Sequence, residues 1–240
     1  FASRQGPVWA MLEMAWKHHH RSGGAPGLLI CPKVAEEELL RSERLPPTIR
    51  TAHFGNLVGL NEFETFRYAL IFGRSLPSPF ALEANADAIS DSYRERAAEK
   101  HASPIERETV LKTLPDGRPV KVPVYRCADP LLDALKRAIC DGGTEQAIAR
   151  LRGVRRTAVN PCDVFVFADC FPESAELTSV ADWQDVKPGP VETQFALGRI
   201  AYTAPAHASM AYPEIWPGKD AAKKAFQRAR EENELGDKLL

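Results

Sequence analysis

Apolar residues recur at two periods along this chain, and the change from one period to the other predicts its elements. Val8, Trp9, Leu12 and Trp16 fall on one face of a helix, a surface helix with a packed stripe, which Gly23 and Gly24 end. Residues 27–32 form a short unbroken apolar run between breakers, the form of a buried parallel strand, and 33–41 follow with helical spacing. Residues 49–54 predict the next strand, leading into the loop 55–61, and 68–72 predict another, closed by Gly73 and Arg74. Strand followed by helix is the alternation of a parallel sheet.

Residues 77–100 read as a helix rich in alanine and charge. Residues 109–125 alternate apolar and polar around Asp116 and Gly117, which predicts a β-hairpin inserted beside the sheet. Asp129 and Pro130 supply an N-cap and a first-turn proline for a helix that Asp141, Gly142 and Gly143 end; Thr144 then caps a second helix over 144–156. Residues 163–169 read as a buried strand directly after it. From 183 to 216 the chain is rich in Pro, Gly and aromatics with little period, an extended arm, before a helix with its stripe at 221, 222, 225, 226 and 229 and a charged end. The expected fold is α/β, a three-layer domain around a mainly parallel sheet over residues 1–172 with an insertion at about 78–143, followed by the arm and C-terminal helix over 173–240.

Composition changes this picture little. The 240 residues are 44% hydrophobic and 26% charged, as in ordinary globular proteins. A net charge of −1 gives no global attraction to nucleic acid, so any such site is a local patch. No run of about 18 apolar residues suggests a membrane span. Phe1 to Arg4 form neither a signal peptide nor a start, so the chain reads as a piece of something larger. Cys31, Cys127, Cys140, Cys162 and Cys170 match no CxxC spacing and read as reduced, mostly buried thiols of a cytoplasmic protein. His18, His19 and His20 are consecutive, so on a helix they point about 100° apart and do not converge on one metal.

The chemistry concentrates in residues 144–156, where Arg150, Arg152, Arg155 and Arg156 stand beside Gln146. On a helix Gln146 and Arg150 lie one turn apart, as do Arg152 and Arg156, while Ala147, Ile148 and Leu151 form an apolar side that packs inward. Arginine suits phosphate because its planar fork donates two parallel hydrogen bonds and stays charged. The alternative is a solvated basic face. His53, Asn56, Asn61 and Arg74 follow predicted strands, where open α/β sheets form their ligand crevice.

Taken in order, these pieces resemble the second RecA-like domain of a superfamily 2, DEAD-like helicase. Residues 27–39 resemble the strand and helix of motif IV; 53–61, with the 66–77 run after them, resemble motif V; and Gln146, Arg150 and Arg152 resemble motif VI. The phrases over 53–61 and 146–156 are similar to helicase or primase-helicase proteins of bacterial plasmids, phages and integrating elements. Val58 and Asn61 replace the arginine and aspartate usual in motif V, and Ala149 a glycine of motif VI. The resemblance implies ATP and Mg2+ held between two RecA-like domains, with Arg150 and one of Arg152 or Arg155 as arginine fingers. It places Gln146, Asn61 and Gly59 near the nucleotide, and Lys33, His53, Asn56 and Arg74 near a DNA or RNA backbone. The sequence has no Gly-x-x-x-x-Gly-Lys-Ser/Thr and no Asp-Glu box, so the N-terminal RecA-like partner supplies them and this chain alone lacks ATPase activity. A second reading is a non-enzymatic nucleic-acid-binding or docking module. A third, a phosphate-handling metabolic enzyme, finds no nucleophile paired with a base, although Asp163 and Asp169 flank a strand.

Overall fold

The computed structural model describes residues 6–57, 65–91, 105–168, 171–172, 175–198 and 200–236. Its backbone packing divides into two units, one comprising Phe1–Gly27, Val34–Arg50 and Ala181–Leu240, the other Leu28–Lys33 and Thr51–Val180. The sequence instead suggested a division at residue 172.

The second unit is built on strands β1 (Gly27–Cys31), β2 (Ile49–His53), β3 (Tyr68–Phe72) and β6 (Asp163–Phe167), all parallel, in the order β2-β1-β3-β6. The unbroken apolar runs form the two central strands, β1 and β3, and both are buried along their whole length. β2, with polar positions between apolar ones, lies at one margin. β6 pairs with β3 from Tyr68↔Asp163 to Phe72↔Phe167. It was expected to be buried, yet Asp163 and Val164 are exposed and the rest half-buried, because it is the marginal strand at the other side. The chain steps from β1 to β2 in one direction and then crosses to β3 on the far side of β1. The order therefore reverses between β1 and β3.

On one face of the sheet alternate residues Leu28 and Ile30, Ala69 and Ile71 pack with Ala52, Leu57, Phe66, Ala147 and Leu151. The last two belong to the end of α4 (Pro130–Ala149) and the residues after it. Asp129 caps α4 by accepting from the amides of Leu131 (2.8 Å) and Leu132 (3.2 Å), as its sequence predicts. The predicted break at Asp141 to Gly143 does not occur. Leu132, Lys136, Cys140, Thr144 and Ala147 continue one buried stripe through the two glycines, and that packing outweighs the weak helix preference of glycine. Thr144 consequently does not cap a new helix; its hydroxyl donates back to the Cys140 carbonyl at 3.1 Å.

Helix α3 (Pro79–Ile89), capped by Ser78, occupies the first half of the span predicted helical, and residues 92–100 of that span lie outside the described residues. The hairpin is present as β4 (Ile105–Thr113) and β5 (Pro119–Cys127), antiparallel in register from Ile105↔Cys127 to Thr113↔Pro119. It turns where predicted: Gly117 has φ +84, and Asp116 accepts from the Arg118 amide at 3.0 Å. Leu82 and Ala86 of α3, Cys127 and Leu132 form a small core under the insertion.

The first unit is helical: α1 (Pro7–Arg21), α2 (Lys33–Ser42, from its second residue), α5 (Trp183–Val186), α6 (Pro190–Gly198), α7 (Pro205–Ala211) and α8 (Lys219–Gly236). The expected extended arm is therefore a series of short helices. Helices of four to nine residues between prolines are too short to show a hydrophobic period. Gln194, fully buried, staples this stretch: its amide donates to the carbonyls of Pro190 and Tyr202 and accepts from the Tyr202 amide. Ala208, Trp216, Ala222 and Phe226 form the core here. In α1 burial extends well beyond the expected stripe, to Lys17, whose ammonium is held by the carbonyls of Val186 (2.7 Å) and Lys187 (3.2 Å). The three histidines diverge: His18 is buried, His19 meets the Thr48 hydroxyl at 2.9 Å, and His20 packs on Phe195. Among the described residues no helix is long and apolar enough to cross a membrane.

Candidate anion site at the carboxyl edge of the sheet

The reversal of strand order between β1 and β3 opens the loops at their carboxyl ends, where side chains reach a ligand without crossing the sheet. Pro32 and Lys33 leave β1, and Gly73 and Arg74 leave β3. Gly73 has φ +72, and a Cβ there would stand 3.8 Å from Pro32 Cγ, so the two loops run side by side. Its amide donates to the Phe167 carbonyl at 2.9 Å. At the end of β2, His53 leads into a 3-10 turn, Phe54–Asn56, and a Cβ on Gly55 would meet His53 Nδ1 at 3.3 Å, so the ring folds back over the turn. Lys33 and Asn56 are exposed, and His53 and Arg74 half-buried. The four residues expected near a nucleic-acid backbone thus stand along one edge.

The middle of α4 lies beside the same edge, and its end runs on toward the amino ends of the strands, where Arg156 holds the Leu151 carbonyl. A Cβ on Gly143 would touch Ser75 Cβ at 3.6 Å, beside the end of β3, and the helix packs on the turn Phe54–Asn56 at the end of β2. Phe54 and Ile148 join the cluster around Ala147 and Leu151. Gln146 is exposed on this stretch, and Arg150 closes it as the C-cap. Arg150 Nε is buried and has no hydrogen-bond partner in the structure. A buried N–H left unmade on a charged group costs more than a neutral one.

Beyond Arg150 the predicted helix over 144–156 gives way. Arg152 adopts the left-handed conformation (φ 55, ψ 48), and Gly153–Arg155 form a 3-10 turn that begins after it. A non-glycine residue in that region costs roughly 1–2 kcal/mol. The helical pairing of Arg152 with Arg156 is lost. Arg156 turns away: its Nε donates to the Leu151 carbonyl at 2.9 Å and its Nη1 to Asn160 Oδ1 at 3.4 Å, the oxygen that also takes Arg67 Nη1 at 2.7 Å. Because the Asp163 amide donates to the Arg67 carbonyl at 3.0 Å, this cluster marks the amino ends of β3 and β6. Arg156 is therefore at the other end of β3 from Arg74, a five-residue strand of about 17 Å. Nearby, burial pushes the Cys162 thiol up while Arg156 and Arg67 oppose the shift. Arg155 is exposed. Gly59 and Asn61 lie outside the described residues.

Sequence reasoning missed the cations beside Arg74. Its guanidinium lies 4.0 Å over the Tyr125 ring, and Arg126, Lys136 and Arg137 line the same cavity. Asp133 is their hub, accepting from Arg137 Nε (2.9 Å), Lys136 Nζ (3.2 Å) and the Cys127 amide (3.0 Å), with Arg126 Nη1 at 3.5 Å. Lys136 also donates to the Tyr125 carbonyl. The signal was present in the spacing of Asp133, Lys136 and Arg137 at one helical turn. The cavity holds about 10 Å³, room for one water and too little for a phosphate, so these cations clamp the hairpin to α4. No family model, curated protein or solved structure matches this chain.

Proposed function

We propose that this chain is the C-terminal RecA-like half of an ATP-dependent nucleic-acid helicase or translocase. The observation that carries the reading is Arg150, whose Nε is buried and unpartnered at the C-cap of the helix that covers one face of the parallel sheet. Three further features support it: the sheet is parallel with a reversal between β1 and β3, Lys33, His53, Asn56 and Arg74 share its carboxyl edge, and Gln146 and Arg150, two of the residues resembling motif VI, stand one helical turn apart.

In this reading a separate RecA-like domain carries the phosphate loop and the magnesium ligands, and ATP supplies the phosphoryl group whose transfer drives movement. Arg150, half-buried, presents its guanidinium to a phosphate oxygen, and Arg152 or Arg155 adds a second guanidinium. Their charge is worth roughly 10³ to 10⁵ in rate when it meets charge developing on the transferring group. Gln146, one turn before Arg150, orients the nucleotide with Gly59 and Asn61. Lys33, His53, Asn56 and Arg74 hold the strand, DNA or RNA.

The exposed cation and amides at the edge also favour a second reading, a docking module in which the arginines contact phosphates of nucleic acid directly. Fluorescence anisotropy with a labelled single strand separates the two. In the helicase reading Lys33→Ala lowers the salt slope by about 0.7, the value for one phosphate contact on a single strand, while Arg150→Ala leaves binding unchanged. Loss of binding on Arg150→Ala favours the docking module, and no binding by the wild type removes both.

A further inference from the structure

The helical unit contains a cleft of about 340 Å³, between α1, the segment entering α6, and α8. Sites for small ligands occupy about 300–1,000 Å³ and combine apolar walls with a few polar groups. Here the walls come from Trp9, Trp216 and Pro188, and the polar groups are Glu13, Lys187 and Arg228. Glu13 sits one turn after Trp9. One of its oxygens accepts the Thr193 hydroxyl at 2.6 Å, and the Trp9 side chain also hydrogen-bonds to the carboxyl. These two bonds fix the carboxylate in the cleft and leave part of its acceptor capacity, about four lone-pair positions in all, for a ligand. Burial pushes its pKa up, with Glu192 adding to the effect, while both hydrogen bonds oppose the shift.

We propose that this cleft binds a guanine nucleotide, with the base against the tryptophans, its N–H edge on Glu13, and its phosphate on Arg228 and Lys187. A carboxylate only accepts. Guanine offers it two adjacent donors, N1–H and the N2 amine. Adenine and cytosine set a ring acceptor beside their amine, and uracil flanks its single N–H with two carbonyls, so each of these bases brings an acceptor against the carboxylate. The aromatic walls take the face of any base, so selection falls to Glu13. Arg228 lies on the exposed side of α8 and Lys187 at the cleft margin, positions that suit a phosphate kept in water. This inference is independent of the proposed motor function.

Calorimetric titration of the folded chain tests it with guanosine monophosphate, guanosine and uridine monophosphate. Guanosine monophosphate is expected to bind, and the uridine nucleotide about tenfold or more weakly. Glu13→Gln removes that preference, with its fold checked by circular dichroism; Arg228→Ala, a surface change, narrows the gap between guanosine monophosphate and guanosine. Lowering the pH into the raised titration range of Glu13 weakens guanine binding as the acceptor is protonated. A pentanucleotide with one central guanine identifies the source: tighter binding than the mononucleotide points to a strand, weaker binding to free nucleotide. No binding of guanosine monophosphate by the folded wild type, or equal binding of both nucleotides that Glu13→Gln leaves unchanged, overturns the proposal.

Discussion

His18 has a histidine as its next neighbour and a lysine before it, yet it alone of the three histidines is enclosed. Burial, with like charge on Arg21 and Lys17, pushes its pKa down from 6.5 to about 3. Between those values the unfolded chain binds a proton there that the folded chain does not, so stability rises with pH across the window and is lost as pH falls from 6.5 toward 3. His18→Gln removes a titration worth roughly 3–5 kcal/mol, so the urea midpoint of the variant should change much less between pH 6.5 and 4 than that of the wild type. An unchanged pH profile would place the acid sensitivity elsewhere. Arg152 is the second residue to test. Its left-handed backbone tolerates glycine, so Arg152→Gly should alter stability by less than about 1 kcal/mol, as gains in strain offset losses in chain entropy. A larger loss in urea unfolding would show that its side chain holds the turn.

At the scale of elements, the strands were the most legible part of the chain. β1 and β3 begin and end where unbroken apolar runs meet Pro32 and Gly73, and the hairpin turns at the Asp116 and Gly117 signal. The errors came where a local signal competed with packing. Gly142 and Gly143 read as a stop, but α4 runs through them because its buried stripe from Leu132 to Ala147 is continuous. A Cβ on Gly142 would meet nothing within 4 Å, so Gly142→Ala should stabilise the chain by about 0.5–1 kcal/mol in urea unfolding. Destabilisation would mean that the helix needs glycine at that bend. The arginine segment failed in the opposite sense: a helical pattern was legible to Arg156, but the chain leaves the helix at Arg150 in order to reach the amino end of β6 at Asp163. The separate fates of Arg150 and Arg156 follow from that turn, and no spacing rule contains it.

For the whole molecule, the sequence made a parallel α/β sheet legible but not its strand order, since which strand crosses to the far side of β1 depends on contacts distant in sequence. Nor did it show that residues 181–240 pack in one unit with the first helix, because the links join residues far apart in sequence: Lys17 on the carbonyls of Val186 and Lys187, the Thr193 hydroxyl on Glu13, and the Trp16 ring stacked on Phe195. The candidate site was partly legible, as residue types at strand ends, while its grouping along one edge needed the fold. The proposed motor function rests on arginines that act on a phosphate held by another domain. Its most direct test is magnesium-dependent ATP hydrolysis by this chain alone, wild type beside Arg150→Ala. The expected result is background turnover in both; turnover by the wild type that disappears with Arg150→Ala would contradict it.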